Sequence, residues 1–287
     1  MIKPAVPAWV VGEFVGTFLL VFFGCGSVCA AVTTGAQVGV FQVAIVWGLG
    51  IATAIYLTAA LSGAHLNPAV TISLAVWGGF SKRRVPGYIA TQLTAAFVSA
   101  ALLYVIFGGA IAEFETKNNI VRGQSGSEAS AMIFGEYYPD PSGKPLSEAN
   151  PGRMSQGRAF VTEMVGTAIL LLVIFCTTDP HNTDRPQILT AATIGLTITL
   201  LISLLGPLTM ACFNPARDFG PRLFSSLAGW KTIPFTANGT GWFTVYIVAP
   251  ILGGWLGGGI YRVFFREHYR TQHHAIITEV ARVNRRG

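Results

Sequence analysis

The sequence predicts an all-α membrane protein: six transmembrane helices plus two re-entrant half-helices, arranged as an inverted repeat. Three observations carry the prediction. The 287 residues are 52% hydrophobic and only 11% charged, with a mean hydropathy of +0.54, whereas soluble domains average about 25% charged residues. Six apolar stretches reach the roughly 20 residues that a spanning helix needs; they lie at about 8–33, 40–61, 87–109, 158–179, 187–206 and 241–264. Between them Asn-Pro-Ala occurs twice, as Asn67-Pro68-Ala69 and Asn214-Pro215-Ala216, each time in an apolar segment too short to cross.

The first stretch is too long for a signal peptide and keeps Glu13 inside its apolar run, so it reads as a retained helix. "GEFVGT" at 12–17 recurs as "TEMVGT" at 162–167, which makes Glu163 the counterpart of Glu13. Each copy opens a span, and each is followed some fifty residues later by Asn-Pro-Ala. Three spans per copy is an odd number, so the second copy must enter the membrane upside down. The division is then a first repeat at 1–109, a connecting loop at 110–157, a second repeat at 158–264 and a basic tail at 265–287. The loop is rich in turn formers, and a cover over a vestibule and a plain connector both fit it.

Six spans put both termini on one side. That side collects Lys3, Lys82, Arg83, Arg84, Arg185 and the tail arginines Arg262, Arg266, Arg270, Arg282, Arg285 and Arg286. Lys117, Arg122, Lys144, Arg153, Arg158 and Lys231 fall on the other side, four of them in the long loop. Short loops decide orientation, so the termini are expected in the cytoplasm. The formal charge of +6 then reflects topology and attraction to lipid headgroups, not nucleic acid.

A proline suits the first turn of a helix, so Pro68 and Pro215 should each start a half-helix, capped by Asn67 and Asn214. Inverted symmetry brings the two N-termini face to face at the bilayer centre, each with about half a positive charge. Irregular backbone at that depth must be buried or line a water-filled cavity. The preceding residues, Gly63, Ala64, His65, Leu66 and Met210, Ala211, Cys212, Phe213, would supply carbonyl acceptors. Such a path suits small neutral hydroxylic solutes and repels cations and protons, which is the established physics of pores lined by donors, acceptors and half-helix dipoles. Arg217 stands one helical turn after Asn214, where the first repeat has Val70. An arginine within the membrane is functional by default, and its fork can donate to two solute oxygens.

Other residues read more plainly. Cys25, Cys29, Cys176 and Cys212 sit in apolar segments with no metal-site spacing, and neither a metal nor a cofactor is expected. His65 reads as a loop-supporting imidazole before it reads as a pH gate. His273-His274 reads as a solvated pair, and Asn238-Gly239-Thr240 as a chance sequon. Gly12 with Gly16, and Gly253 with Gly257, are small-residue pairs for close helix packing.

The two Asn-Pro-Ala boxes, "NPARDFGPRLF" and "VWGLGIATAIYLTAALSGAHLNPAV" resemble the major intrinsic protein family, the aquaporins and glycerol facilitators, over about residues 8–264. Asp218 and Arg222 stand where the glycerol-conducting branch carries an acid and a base. The resemblance implies a homotetramer in the plasma membrane, most simply a bacterial inner membrane, with one pore per subunit. It also implies a selectivity filter of Trp47, Ile202, Ala211 and Arg217. Trp47 and Arg217 match the glycerol branch, while that branch typically has glycine at 202 and an aromatic at 211. Ile202 and Ala211 partly compensate in volume, as in the plant nodulin-like members. The expected solutes are therefore glycerol and other small neutral molecules, with water, urea and undissociated metalloid acids as candidates; the ranking among them stays open.

A proton-coupled transporter is the competing class, with Glu13 and Glu163 as its candidate acids. Both are symmetry mates placed to accept N–H groups from the loop of their own half, which favours a supporting role. An enzyme is disfavoured, because no span pairs a nucleophile with a base.

Overall fold

The structure, a computed structural model, describes residues 5–149, 152 and 154–284. Lys3, Arg153, Arg285 and Arg286 of the orientation argument lie outside the described residues. The described residues are helical throughout their ordered elements. In chain order these are α1 (Ala8–Thr34), α2 (Val40–Ser62), α3 (Pro68–Trp77), α4 (Val85–Lys117), α5 (Glu128–Ala131) and α6 (Gln156–Thr178). There follow α7 (Thr190–Thr209), α8 (Pro215–Ser225), α9 (Ile233–Thr236), α10 (Gly241–Phe243), α11 (Ala249–Phe264) and α12 (Arg266–Asn284). Six helical stretches are long and apolar enough to cross a bilayer, and α3 and α8 are the short pair between them.

Three elements differ from the hydropathy reading. The third span continues past 109 to Lys117, because Glu115 on its extra turns is held by Arg122 Nε (2.8 Å) and by the Ser130 hydroxyl (2.8 Å). The sixth span enters through α10 and a π-helical turn, Thr244–Val248. Pro250 in the first turn of α11 has no N–H to give to a tighter ladder there. Beyond the sixth span, Arg266–Asn284 of the basic tail form a helix, α12. Its His273 ring packs edge-on against His181, with centroids 5.5 Å apart, so this half of the expected solvated pair is engaged. His181 also donates its backbone N–H to Asp179 (2.8 Å), which accepts the Tyr261 hydroxyl as well (2.6 Å). Burial pushes the Asp179 carboxyl up, but these donors outweigh it and hold it below the usual carboxylate range.

Packing weaves the two halves together. Helix α1 lies on α2 and α4, and α6 lies on α7 and α11. Across the halves α2 packs on α7, while each half-helix leans on the other repeat: α3 on α11 and α8 on α4. The α2–α7 crossing is close because Gly48 and Gly195 bring backbone against backbone, where any side chain would strike the opposite carbonyl. Gly12 and Gly16 admit α2 and the loop after it, and Gly253 and Gly257 admit the α6 backbone at Met164 and Ala168. Cys25, Cys29 and Cys212 are buried, Cys176 is half-buried and none is paired. Among the described residues no three histidines, cysteines or acids come together as a metal-ion set.

A cavity between facing half-helices

Asn67 and Asn214 cap α3 and α8 in the same way. The Asn67 Oδ1 accepts the Ala69 N–H (2.8 Å), and the Asn214 Oδ1 accepts those of Ala216 (3.0 Å) and Arg217 (3.2 Å). With both oxygens spent on the caps, the amide nitrogens turn across the symmetry axis. Asn67 Nδ2 donates to the Phe213 carbonyl and Asn214 Nδ2 to the Leu66 carbonyl, each at 2.8 Å. The two caps therefore meet in the protein's interior. A carboxamide nitrogen has two N–H groups, so one on each asparagine stays free of these bonds.

The loops before the caps are held from behind by the two buried acids. Glu13 accepts the His65 and Leu66 N–H groups, both at 2.9 Å. Glu163 accepts those of Cys212 (3.1 Å) and Phe213 (2.8 Å). In a trans peptide the N–H and the preceding C=O point in opposite directions. The carbonyls of Ala64, His65, Ala211 and Cys212 therefore point away from the acids, and these four residues line one shared cavity. Left-handed backbone at Ala64, Leu66, Met210, Ala211 and Phe213 (φ 49–61°) is the strain this costs.

The sequence reading put eight carbonyls on the path. Those of Leu66 and Phe213 each accept one hydrogen bond from the opposite asparagine, and both residues line the cavity. Met210 does not line the cavity; its sulfur accepts the Tyr137 N–H at 3.3 Å. Gly63 does line it.

The cavity measures about 580 Å³. Most of its wall is aliphatic, including Leu20, Ile51, Leu170, Ile174, Ile194 and Ile198, and its polar groups are the caps and loops just described. Trp47, Ile202, Ala211 and Arg217 also line it. The Arg217 guanidinium lies 4.2 Å from the Trp47 ring centroid and is 4% exposed, a stacked and desolvated cation. Val70, its counterpart, is a wall residue. His65 keeps to its loop: Nδ1 is 3.2 Å from the Thr71 hydroxyl, and the ring packs against Phe80 and Tyr88.

One partner of this site was missed in the sequence. Glu136, from the connecting loop, is fully buried and forms an ion pair with Arg217 Nη1. Asp218 and Arg222 set it in place. Asp218 Oδ1 accepts the Glu136 N–H (2.8 Å), and Arg222 donates to the Glu136 carbonyl (2.5 Å) while pairing with Asp218 (2.7 Å). The loop is therefore no plain connector; most of residues 128–139 is buried. The available signal was "AMIFGEYY" at 131–138, an apolar run with one acid inside an otherwise polar loop.

Residues 3–261 match the model of the Major intrinsic protein family. The chain belongs to that family. Among similar relatives is the Glycerol uptake facilitator protein of Pseudomonas aeruginosa, 46% identical over 89% of this chain and 88% of the relative. The Glycerol uptake facilitator protein of Escherichia coli K12 is 42% identical over 90% and 88%. The Propanediol uptake facilitator PduF of Salmonella typhimurium is 41% identical over 88% and 91%. A solved aquaglyceroporin from Plasmodium falciparum superposes with a TM-score of 0.77 at 29% identity, over 92% of this chain and 98% of that one. This major intrinsic protein is thus a multi-pass membrane channel and not an enzyme, and its six spans and re-entrant pair are the architecture of its family.

Proposed function

We propose that the protein is a passive channel for glycerol and other small neutral solutes, with some water, and that it excludes ions and protons. The observation that carries this reading is the meeting of the two asparagine caps inside a cavity that also holds Arg217. A polyol passing the caps meets the free amide N–H groups as donors and the carbonyls of Ala64, His65, Ala211 and Cys212 as acceptors. Its carbons slide along the aliphatic wall. A cation at the same place faces two half-helix N-termini, each with about half a positive charge, and among the described residues no carboxylate lines the cavity to compensate. Likeness to facilitators of glycerol and propanediol uptake supports the same solute class.

Trp47, Ile202, Ala211 and Arg217 act as the narrow filter. The terminal face, with Lys82, Arg83, Arg84 and α12, lies in the cytoplasm of a bacterial inner membrane, and the connecting loop lies outside. The chain divides into repeats at 1–109 and 158–264 around the loop at 110–157, with the tail from 265, and it works as a homotetramer. Urea and undissociated metalloid acids are further candidate solutes, because they too are small and uncharged.

Reconstitution tests the reading. Proteoliposomes should take up glycerol and urea faster than bare liposomes while excluding sorbitol, and glycerol flux no faster than bare lipid overturns it. In the same assay Ala211→Phe should lower glycerol flux by roughly tenfold, about 1.4 kcal/mol at the constriction, because the new ring meets Ile202. Unchanged flux would show that these two positions do not share the narrow point.

A further inference from the structure

The buried charges at the filter form a closed set. Arg217 is ion-paired with Glu136, and Arg222 with Asp218. All four side chains are at most 5% exposed. Two cations and two carboxylates leave the set neutral. The pairings are not interchangeable, because Asp218 already receives two Arg222 nitrogens, at 2.8 and 2.7 Å, and the Glu136 N–H. Glu136 is therefore the only carboxylate among the described residues in contact with Arg217. Its own oxygens accept no directional hydrogen bond from any other described residue. A loop carboxylate placed this deep, with its backbone clamped by Asp218 and Arg222, has one evident partner and one evident consequence.

We propose that Glu136 is a specificity-determining residue that closes the filter to small anions by cancelling the charge of Arg217. This rests on the reading of the cavity as a solute channel and goes beyond it. An unbalanced guanidinium in a low-dielectric constriction is an anion site, since charge interactions there are screened far less than in water. The half-helix N-termini further along would favour an anion as well. They exclude cations, but nothing about them excludes nitrate or formate, which are no larger than the polyols. Desolvation along the aliphatic wall opposes every ion; what bears on anions in particular is the charge where the solute meets Arg217, and the pairing with Glu136 cancels it. Neutral solutes lose little by it: a guanidinium has five N–H donors, and the ion pair engages Nη1.

The test compares anion and glycerol fluxes in the same vesicles. Proteoliposomes holding the wild type, Glu136→Gln, Arg217→Gln and the double variant are assayed for glycerol uptake and for nitrate, formate and potassium flux under an imposed diffusion potential. Glu136→Gln keeps the shape and removes the charge, so nitrate and formate flux should rise about tenfold or more above wild type. Arg217→Gln removes the cation that an anion would be drawn to, so it should give no anion flux, and the half-helix N-termini should still exclude potassium. The double variant, neutral again, should admit neither. Glycerol uptake above bare liposomes shows that each variant is folded and open; if wild type itself lacks it, the channel reading fails and not this one. Glu136→Gln vesicles that take up glycerol yet exclude both anions as well as wild type would overturn the proposal. If Glu136→Gln does not fold, Glu136→Ser takes its place: glycerol uptake with nitrate and formate still excluded as in wild type overturns the proposal.

Discussion

The loop before Asn67 and the loop before Asn214 do the same backbone work with different surroundings. Each presents two N–H groups to one buried glutamate, and each sends one asparagine amide to the other's last carbonyl. Around that shared frame the supports diverge. In the first half Gln92 braces Glu13 (2.7 Å) and Thr71 (3.0 Å), and aromatic rings fix His65. In the second half Thr209 donates to Glu163 (2.6 Å), Tyr246 to the Thr209 carbonyl (3.2 Å), and Arg217 reaches out to Glu136. What is symmetric satisfies peptide groups, a need that does not depend on the solute. What is asymmetric includes Arg217 and Glu136, the pair at the proposed filter.

The largest expected effect tests the symmetric part. Removing either acid strands two buried N–H groups at about 1–3 kcal/mol each, so Glu13→Ala and Glu163→Ala should each cost roughly 2–6 kcal/mol. Both should unfold well below wild type in detergent and return glycerol flux to the level of bare liposomes. A tolerated Glu13→Ala beside a ruinous Glu163→Ala would mean that the frame is not shared and that Gln92 can stand in for the acid. Wild-type uptake that depended on a proton gradient, with that dependence lost in only one variant, would instead revive the transporter reading.

Much of the frame was legible in the sequence because its signals are local and repeated. The "GEFVGT" and "TEMVGT" copies, with Asn-Pro-Ala at matching distances, point to both acids, both caps and the inversion. Span ends were less legible where tertiary contacts decide them: α4 runs on because Arg122 and Ser130 hold Glu115, and hydropathy does not register that. Nor does a carbonyl's use show in a sequence: that the Leu66 and Phe213 carbonyls accept the opposite asparagines is visible only in the structure. Glu136 was the least legible. One acid among several in a polar loop has no periodicity to single it out, and its partner comes from the second repeat.

A smaller effect sharpens the comparison. Gly16 and Gly166 occupy matching places, and a methyl group there would strike Leu66 and Phe213 respectively. Overpacking of this kind costs about 1–3 kcal/mol. The clash at Gly16 is with the flexible end of a leucine, and that at Gly166 with a rigid ring on a residue whose carbonyl holds Asn67. Gly166→Ala should therefore lower the melting temperature more than Gly16→Ala. The reverse order would show that the first loop is the stiffer of the two.

The smallest effect on stability belongs to the residue where the halves differ by chemistry alone. Cys212 takes the place of His65, and of the four cysteines it is the one that lines the cavity. Its Sγ is 3.3 Å from the Asn214 carbonyl, a bond that a serine hydroxyl can keep, so Cys212→Ser should cost about 1 kcal/mol or less. A mercurial should block glycerol flux in the wild type and spare Cys212→Ser, since Cys25 and Cys29 are buried away from the cavity and Cys176 does not line it. A Cys212→Ser protein that is blocked as fully as wild type would remove the thiol from the path, and with it the claim that this loop faces the solute. Adding His65→Cys to that variant then asks whether the first loop faces the path too. Restored block says that it does, and a slower rate would measure how tightly Phe80 and Tyr88 enclose that side.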